Sequence, residues 1–530
     1  MSKEEREQFL SPDFVRDSGD PMLLPDMEKA VDRIIAAQKN NEVVCVWSDY
    51  DCDGIPGGVM LSQFLRSIGL EVVHYIPHRH EEGYGLNKKG IDAVADKNVK
   101  LMVTVDLGTT EHENILYAKE KGIDVIVTDH HLVSGELPQA FAVINPKRPD
   151  SAYPFDGLCG AGVAWKLVQG VLAKNRFGLG EGKEKWLLDL VGLATLSDMV
   201  PLRGENRMLA HFGLRVMRHA KRPGLASLLS LLRIKPNTLT EDDIGFMVAP
   251  RINAASRMDN PDAAARLLAT EDGEEGKVLA RELQALNDER KGVVAATVKE
   301  VNHRLKGSEM LESPVIVMGN PKWRPGILGL VANTLVGAHG KPVFLWGREG
   351  GEMIRGSVRL PEGAAASVVD IMAGARELFV EFGGHHASGG FSLNPERVHE
   401  LASGLARSYE TLSAHSATSA ETLLDRELSL SEVRFALRDL SLLAPFGEGF
   451  EKPLFMFPRV RVGSTRSFGK AQDHLEVMLH DGFDEIAGVS FFSTKDSFSK
   501  PLSAGTTADI VGHVERDWRG KPRVRVVDVI

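Results

Sequence analysis

The sequence predicts an α/β protein built from a parallel-sheet domain, a long connecting helix, a smaller α/β domain and a C-terminal β-barrel. Three observations predict it. Short apolar runs alternate with helical patterns over the first 200 residues, the mark of parallel strands joined by crossover helices. A charged segment with helical spacing, EEGKVLARELQALNDERKGVVAATVKEVNHRL, follows a largely helical stretch from about 185. Finally, residues from about 445 onward alternate polar and apolar with glycine-containing turns, as in RVRVG, HLEVMLHDG and EIAGVSFF.

In chain order, residues 22–40 read as an amphipathic helix and 42–47 as a buried strand. Further strands are expected at 100–105 and 123–128, with helices at about 57–68 and 111–121. A second α/β unit starts at SPVIVMG, 313–319, and the small-residue segment SAHSATSAET reads as a linker before the barrel. The expected divisions are 1–265, 266–310 for the connecting helix, 311–410, 411–444 for linker and helix, and 445–530. No repeat of fixed period occurs.

A chain of 530 residues with 43% hydrophobic content exceeds what one core fills, and no run approaches the roughly 18 apolar residues of a membrane span. The acidic start MSKEEREQFLSPDF lacks a secretory signal's apolar stretch, so a cytoplasmic address with no membrane association is expected. Cys45, Cys52 and Cys159 fit neither a disulfide framework nor a zinc site. A net charge of -10 excludes a uniformly basic nucleic-acid coat, so any such contact must come from local patches.

Each of the three expected strands ends in acid: Asp49, Asp51 and Asp53 after the first, Asp106 after the second, and Asp129 with His130 and His131 after the third. In an open parallel sheet the carboxyl ends of the strands are where ligands bind. An isolated aspartate there is often turn or cap chemistry, but a cap needs one oxygen and no histidines. Converging carboxylates repel unless cations neutralise them, and oxygen with imidazole donors suits Mn²⁺ or Mg²⁺. Two such ions hydrolyse a phosphodiester by polarising phosphoryl oxygens and supplying an activated water. Asp106, with two oxygens to share, is the candidate bridging ligand, and His131 is placed to orient a ligand from behind.

SDYDCDG, VTVDLG, VTDHH and LATLSDMVPL, in that order, resemble the motifs of the DHH phosphoesterases. NPKRPDSAYPFDGLCGAGVAWKL, PRINAASRM, GSVRL and FGGHHASGG resemble the RecJ branch of that superfamily. The resemblance implies metal ligation by Asp51, Asp53, Asp106, His130 and Asp198, with Asp49, Asp129 and His131 as ligands or supports. It also implies a DHH domain, a DHHA1 domain whose His385 approaches the scissile phosphate, and an OB-fold. Arg251 and Arg257, with Arg355, Ser357 and Arg359 on one side of an extended segment, would hold a 5′-terminal phosphate. Basic residues interleaved with Phe468 and Trp518 would make a stacking groove, Trp518 being the preferred ring. The implied activity is a two-metal, single-strand-specific 5′→3′ DNA exonuclease that releases mononucleotides in repair and recombination. The expected partners are single-stranded DNA, a single-strand-binding protein and a helicase, with the chain a monomer.

Two other readings compete. A DHH phosphodiesterase for short oligonucleotides or cyclic dinucleotides would need neither barrel nor long helix, and a non-catalytic replication factor would not need the full acidic set. The chain departs from the family pattern at Trp47, Cys52, Ser256, Arg324 and Phe450, none of them an expected ligand. Cys52, between two ligating aspartates, is expected to point away as a core filler.

Overall fold

A computed structural model describes residues 2–530 apart from 80–81, 134, 220, 259, 349–352, 414–422, 470–471, 473 and 518. Most of the expected linker SAHSATSAET, together with Trp518, therefore lies outside the described residues.

The first domain is a five-stranded parallel sheet of β1 (Val43–Ser48), β2 (Glu71–Tyr75), β3 (Val99–Val105), β4 (Asp124–Thr128) and β5 (Ala142–Ile144), ordered β2-β1-β3-β4-β5. Strands β1 and β3 are apolar almost throughout because both faces are covered. Val44, Val46, Leu101 and Val103 face the helices Met27–Lys39, Gly54–Ser67 and Gly160–Lys174, whereas Cys45, Trp47 and Met102 face Lys88–Ala95 and His112–Glu120. β2 and β5 are strands that the apolar-run reading passes over. β2 carries Glu71 and His74 and is an edge strand only partly buried, while β5 is three residues long.

Helices Leu188–Ser197, Gly204–Arg218, Pro223–Leu231, Ala249–Arg257 and Pro261–Ala269 complete this domain. Gly273–Leu305 then runs 33 residues, about 50 Å at 1.5 Å per residue, to the second domain. Asp272 caps its start by accepting from Glu274 N–H. The second sheet is ordered β6-β7-β8-β10-β9, from β6 (Ile316–Gly319), β7 (Val343–Gly347), β8 (Ile354–Arg359), β9 (Phe379–Gly384) and β10 (Ser388–Leu393).

The last sheet runs from β11 (Arg426–Glu427) through β12 (Phe455–Phe468), β13 (His474–His480), β14 (Glu485–Ser490), β15 (Thr507–Arg516) and β16 (Pro522–Val529). Pairing of β12 with β15 closes the barrel. The preceding helix Val433–Leu443 belongs to the same core: Val433 and Leu437 pack with Phe457, Val477 and Val524. Arg207 anchors this end to the first domain by donating to the carbonyls of Leu443 and Pro445, and its guanidinium lies 3.6 Å from the Phe9 ring centroid.

Candidate metal centre and nucleic-acid interface

Because β1, β3 and β4 are neighbours, spaced roughly 5 Å apart, their carboxyl ends bring three acidic segments to one rim. The loop after β1 turns directly into Gly54–Ser67. Asp51 Oδ1 accepts the N–H groups of Asp53 (2.9 Å) and Gly54 (3.1 Å), which fixes the turn. Asp53 points instead at the start of Gly160–Lys174 and accepts from Gly160 N–H at 2.6 Å and Ala161 N–H at 2.8 Å. That approach needs glycine at 160, where a Cβ would sit 2.4 Å from the Cβ of Asp106.

Asp106 closes β3 in the left-handed region, φ 66°, a conformation few residues other than glycine adopt and aspartate tolerates. Asp198 ends Leu188–Ser197, and Ser197 Oγ donates to Cys52 O at 2.7 Å, tying that helix end to the acidic turn. Cys52 itself is buried in the core, away from the cavity.

The carboxylates and imidazoles gather at one cavity of about 280 Å³, lined also by Tyr50, Arg79, Tyr84, Asn253 and Arg257. His130 Nε2 lies 3.2 Å from Asp106 Oδ1, 3.7 Å from Asp198 Oδ2 and 3.9 Å from Asp53 Oδ2. Three donor triads form within 4.8 Å: Asp53, His130 and Asp198; Asp49, Asp51 and Asp106; and Asp106, His130 and His131. Asp106 and His130 each belong to two of them, and of the pair only the carboxylate has a second oxygen to share, as a bridging ligand must.

Asp49 Oδ1, Asp106 Oδ1 and His130 Nδ1 are buried without a hydrogen-bond partner among the described residues, so the donor set fits cations better than it fits itself. Electrostatics say the same. Burial and then neighbouring aspartates push Asp53 up to about 6 and Asp198 up to about 9, and raise Asp49 and Asp106 well above the carboxylate range. Burial, then the neighbouring His131, lowers His130 to about 3, leaving its ring neutral as a ligand must be.

Asp129, expected among the ligands, belongs to none of the three triads and has both oxygens engaged elsewhere. Oδ1 accepts His131 Nδ1 at 2.7 Å and the N–H groups of His130 and His131, while Oδ2 accepts Thr109 N–H at 2.9 Å. Burial alone would raise its pKa, but the His131 ring draws it below the usual range, and in return Asp129 raises His131 against its own burial. Asp129 is thus placed to orient His131 and the His130 backbone. Asp129→Asn is expected to weaken Mn²⁺ binding about 10–100-fold with the fold unchanged, checked by titration calorimetry; unaltered affinity would reject the orienting role.

Arg251 also departs from expectation. PRINAASRM is helical, Ala249–Arg257, so residues six apart lie roughly 240° around the axis and face different ways. Arg257 lines the cavity, while Arg251 braces the long helix through Gln284 Oε1 at 3.2 Å and donates to Met247 O at 2.8 Å. Arg355, Ser357 and Arg359 do share one side of β8, with Ile354, Gly356 and Val358 buried on the other.

Four cavity residues escaped the sequence reading: Tyr50 and Asn253, which sit inside SDYDCDG and PRINAASRM beside the residues singled out there, and Arg79 and Tyr84. Arg79 and Tyr84 follow β2 in HRHEEGYG, a polar segment whose signal depended on recognising an edge strand first. Burial and then the positive charge of Arg79 lower Arg257 to about 9, with Arg290 and Arg359 contributing. Guanidiniums gathered this closely call for an anion. His385 sits in the β9–β10 hairpin, donating its N–H to Ser388 O at 2.8 Å, and burial followed by the charges of His131 and Lys147 lowers its pKa. The tight turn depends on Gly384, φ 153°, where a Cβ would meet Ser388 O at 2.3 Å.

A family model for the DHH family, N-terminal domain, matches residues 43–195, and one for the RecJ OB domain matches 424–527. The single-stranded-DNA-specific exonuclease RecJ of Dickeya dadantii is 32% identical over 528 residues, covering 96% of this chain and 90% of that one. The chain belongs to the RecJ family. The RecJ of Bacillus subtilis is 31% identical over 96% of this chain, and this RecJ-family chain spans 64% of its length. The crystal structure of RecJ from Thermus thermophilus in complex with Mn²⁺ matches with a TM-score of 0.78 at 28% identity, covering 96% of this chain and 72% of that one. Its Mg²⁺ complex matches at 0.74 with 26% identity, covering 99% and 72%. The acidic rim of this family member is accordingly a divalent-metal centre.

On the barrel, several cations of the expected groove are already paired: Arg466 with Glu476, and Arg523 and Arg525 with Glu515. Rings are displayed instead. Phe468 and Phe491 contact His474, and Phe492 stands 82% exposed with φ 55°, rare for a bulky side chain. Arg523 lies 5.6 Å from the Phe491 centroid.

Among the described residues, no helix is long and apolar enough to cross a membrane.

Proposed function

We propose that this chain is a single-strand-specific DNA exonuclease that removes mononucleotides from a 5′ end. The observation that carries the reading is the cavity itself: carboxylates and imidazoles line one part of it and the guanidiniums of Arg79 and Arg257 another. When bound there, two divalent cations would supply Lewis-acid charge and an activated water.

The residues do the remaining work. Asp49, Asp51, Asp53, Asp106, His130 and Asp198 would hold the ions, with Asp106 shared between them. Arg79, Arg257 and Arg359 would take the terminal phosphate, and Arg355, whose guanidinium would meet a Cβ built at Gly83 at 3.5 Å, reaches from the second domain to the loop that carries Arg79 and Tyr84. Ser357 adds a hydroxyl on that side of β8, and His385 approaches from the hairpin. A cavity of about 280 Å³ offers room for about one nucleotide beside the metal centre. The barrel supports a longer strand, with Phe491 and Phe492 as stacking rings. Repair and recombination, a cytoplasmic location, action as a monomer, and cooperation with a single-strand-binding protein and a helicase follow from this reading.

The test is Mn²⁺ with end-labelled single strands of graded length, blocked at either end. Release of mononucleotides from long strands with an open 5′ end is expected, and cleavage confined to di- to tetranucleotides would move the assignment to a short-oligonucleotide phosphodiesterase. Replacing Phe491 and Phe492 by Ala should weaken binding of long strands by about 1–3 kcal/mol per lost stack. Fluorescence anisotropy checks this; unchanged binding would remove these rings from the DNA path.

A further inference from the structure

A second cavity, of about 630 Å³, opens at the far end of helix Gly54–Ser67, where Gln63 and Arg66 line it. Fourteen helical residues place that end about 20 Å from Asp53, so this cavity is separate from the metal centre. Its volume is in the range of small-molecule sites. Leu187 and Met217 supply apolar lining, and Trp186 stands at the edge with 43% of its surface exposed. Lys221 Nζ lies 3.6 Å from the Trp186 ring centroid, and Lys183 lines the same cavity.

The charges around this opening are unequal in availability. Arg222 is committed to Asp189 at 2.7 and 3.1 Å, to Gln63 Oε1 at 3.1 Å and to Leu268 O. Lys183 and Lys221, both exposed, make no ion pair among the described residues. Two ammonium groups in no ion pair, beside an exposed indole and outnumbering Glu271, the one lining carboxylate without an ion pair among the described residues, select a ligand that joins an anion to a flat ring.

We propose that this cavity binds a nucleoside 5′-monophosphate, with Lys183 and Lys221 holding the phosphate and Trp186 the base. The inference rests on the nuclease reading only for where the nucleotide comes from, either the released product or a unit within a strand.

The full chain carrying Arg257→Ala, which weakens the catalytic cavity's hold on phosphate, is titrated with dAMP in EDTA while tryptophan fluorescence is followed. Turnover is absent there, so the outcome is independent of nuclease activity. A saturable quench is expected that disappears in Trp186→Phe and needs at least tenfold more dAMP in the doubly exchanged Lys183→Glu/Lys221→Glu chain. Inorganic phosphate and deoxyadenosine should each bind at least tenfold more weakly than dAMP. Competition by a 12-nucleotide oligo(dT) would assign the site to a nucleotide within a strand, and lack of competition to the free monophosphate. A quench that survives both sets of substitutions, no quench at all, or inorganic phosphate binding as well as dAMP would overturn the proposal.

Discussion

Replacing Asp106 by Ala is expected to lower turnover on single strands by on the order of 10³-fold or more while the chain stays folded. Its carboxylate is, among the described residues, the one carboxylate that belongs to two triads, and an ion-stabilised transition state is worth several kcal/mol, at about 1.4 kcal/mol per factor of ten. The same residue makes a second expectation that separates a metal centre from a mere acidic cluster. Without divalent ions, the buried carboxylates of Asp49, Asp53, Asp106 and Asp198 repel one another. EDTA should therefore lower the thermal midpoint of the native chain, Mn²⁺ should restore it, and Asp106→Asn in EDTA should melt no lower than the native chain does. Turnover retained by Asp106→Ala would refute the bridging role, and a native midpoint indifferent to EDTA would refute the neutralisation argument.

Lys166→Met should be the most damaging substitution outside the site, at about 3–5 kcal/mol, because it strands a buried charge. Lys166 Nζ is fully buried and donates to Glu205 Oε1 at 2.8 Å, to Ser18 Oγ at 3.0 Å and to Gly19 O at 2.7 Å. Tyr153 also donates to Glu205. Burial lowers the pKa of Lys166, with Glu205 working against that shift. Removing the ammonium leaves Glu205 without its cation, a loss that takes a large fraction of a domain's net stability of roughly 5–15 kcal/mol. The double variant Lys166→Met/Glu205→Leu should regain most of it, since an apolar pair of similar volume replaces an ion pair at little cost. Urea midpoints of both variants check this; a double variant as unstable as the single one would show that shape, not charge, is at stake. The consequence reaches the site, because Lys166 lies on the helix whose first N–H groups hold Asp53.

The parallel sheet was legible because a strand covered on both faces is written as an unbroken apolar run, as in β1 and β3. β2 was not, since half of an edge strand faces water, and with it went Arg79 and Tyr84. β8 was read correctly as extended, with Arg355, Ser357 and Arg359 on one side, because alternation of period two is a local property. The pairing of Arg251 with Arg257 does not survive, because PRINAASRM is helical and packing against the long helix turns Arg251 away from the cavity.

By itself the sequence determined which residue types end each central strand, and hence that acid and imidazole would meet at one rim, because strand polarity in a parallel sheet is fixed by crossover connections. Only the tertiary structure decided how those groups divide their labour. Asp129 turned inward to His131 and backbone N–H groups, Asp53 to a helix start, and Asp106 to two triads at once. Those roles depend on hydrogen-bond partners supplied by residues distant in the chain, and no local pattern encodes their direction.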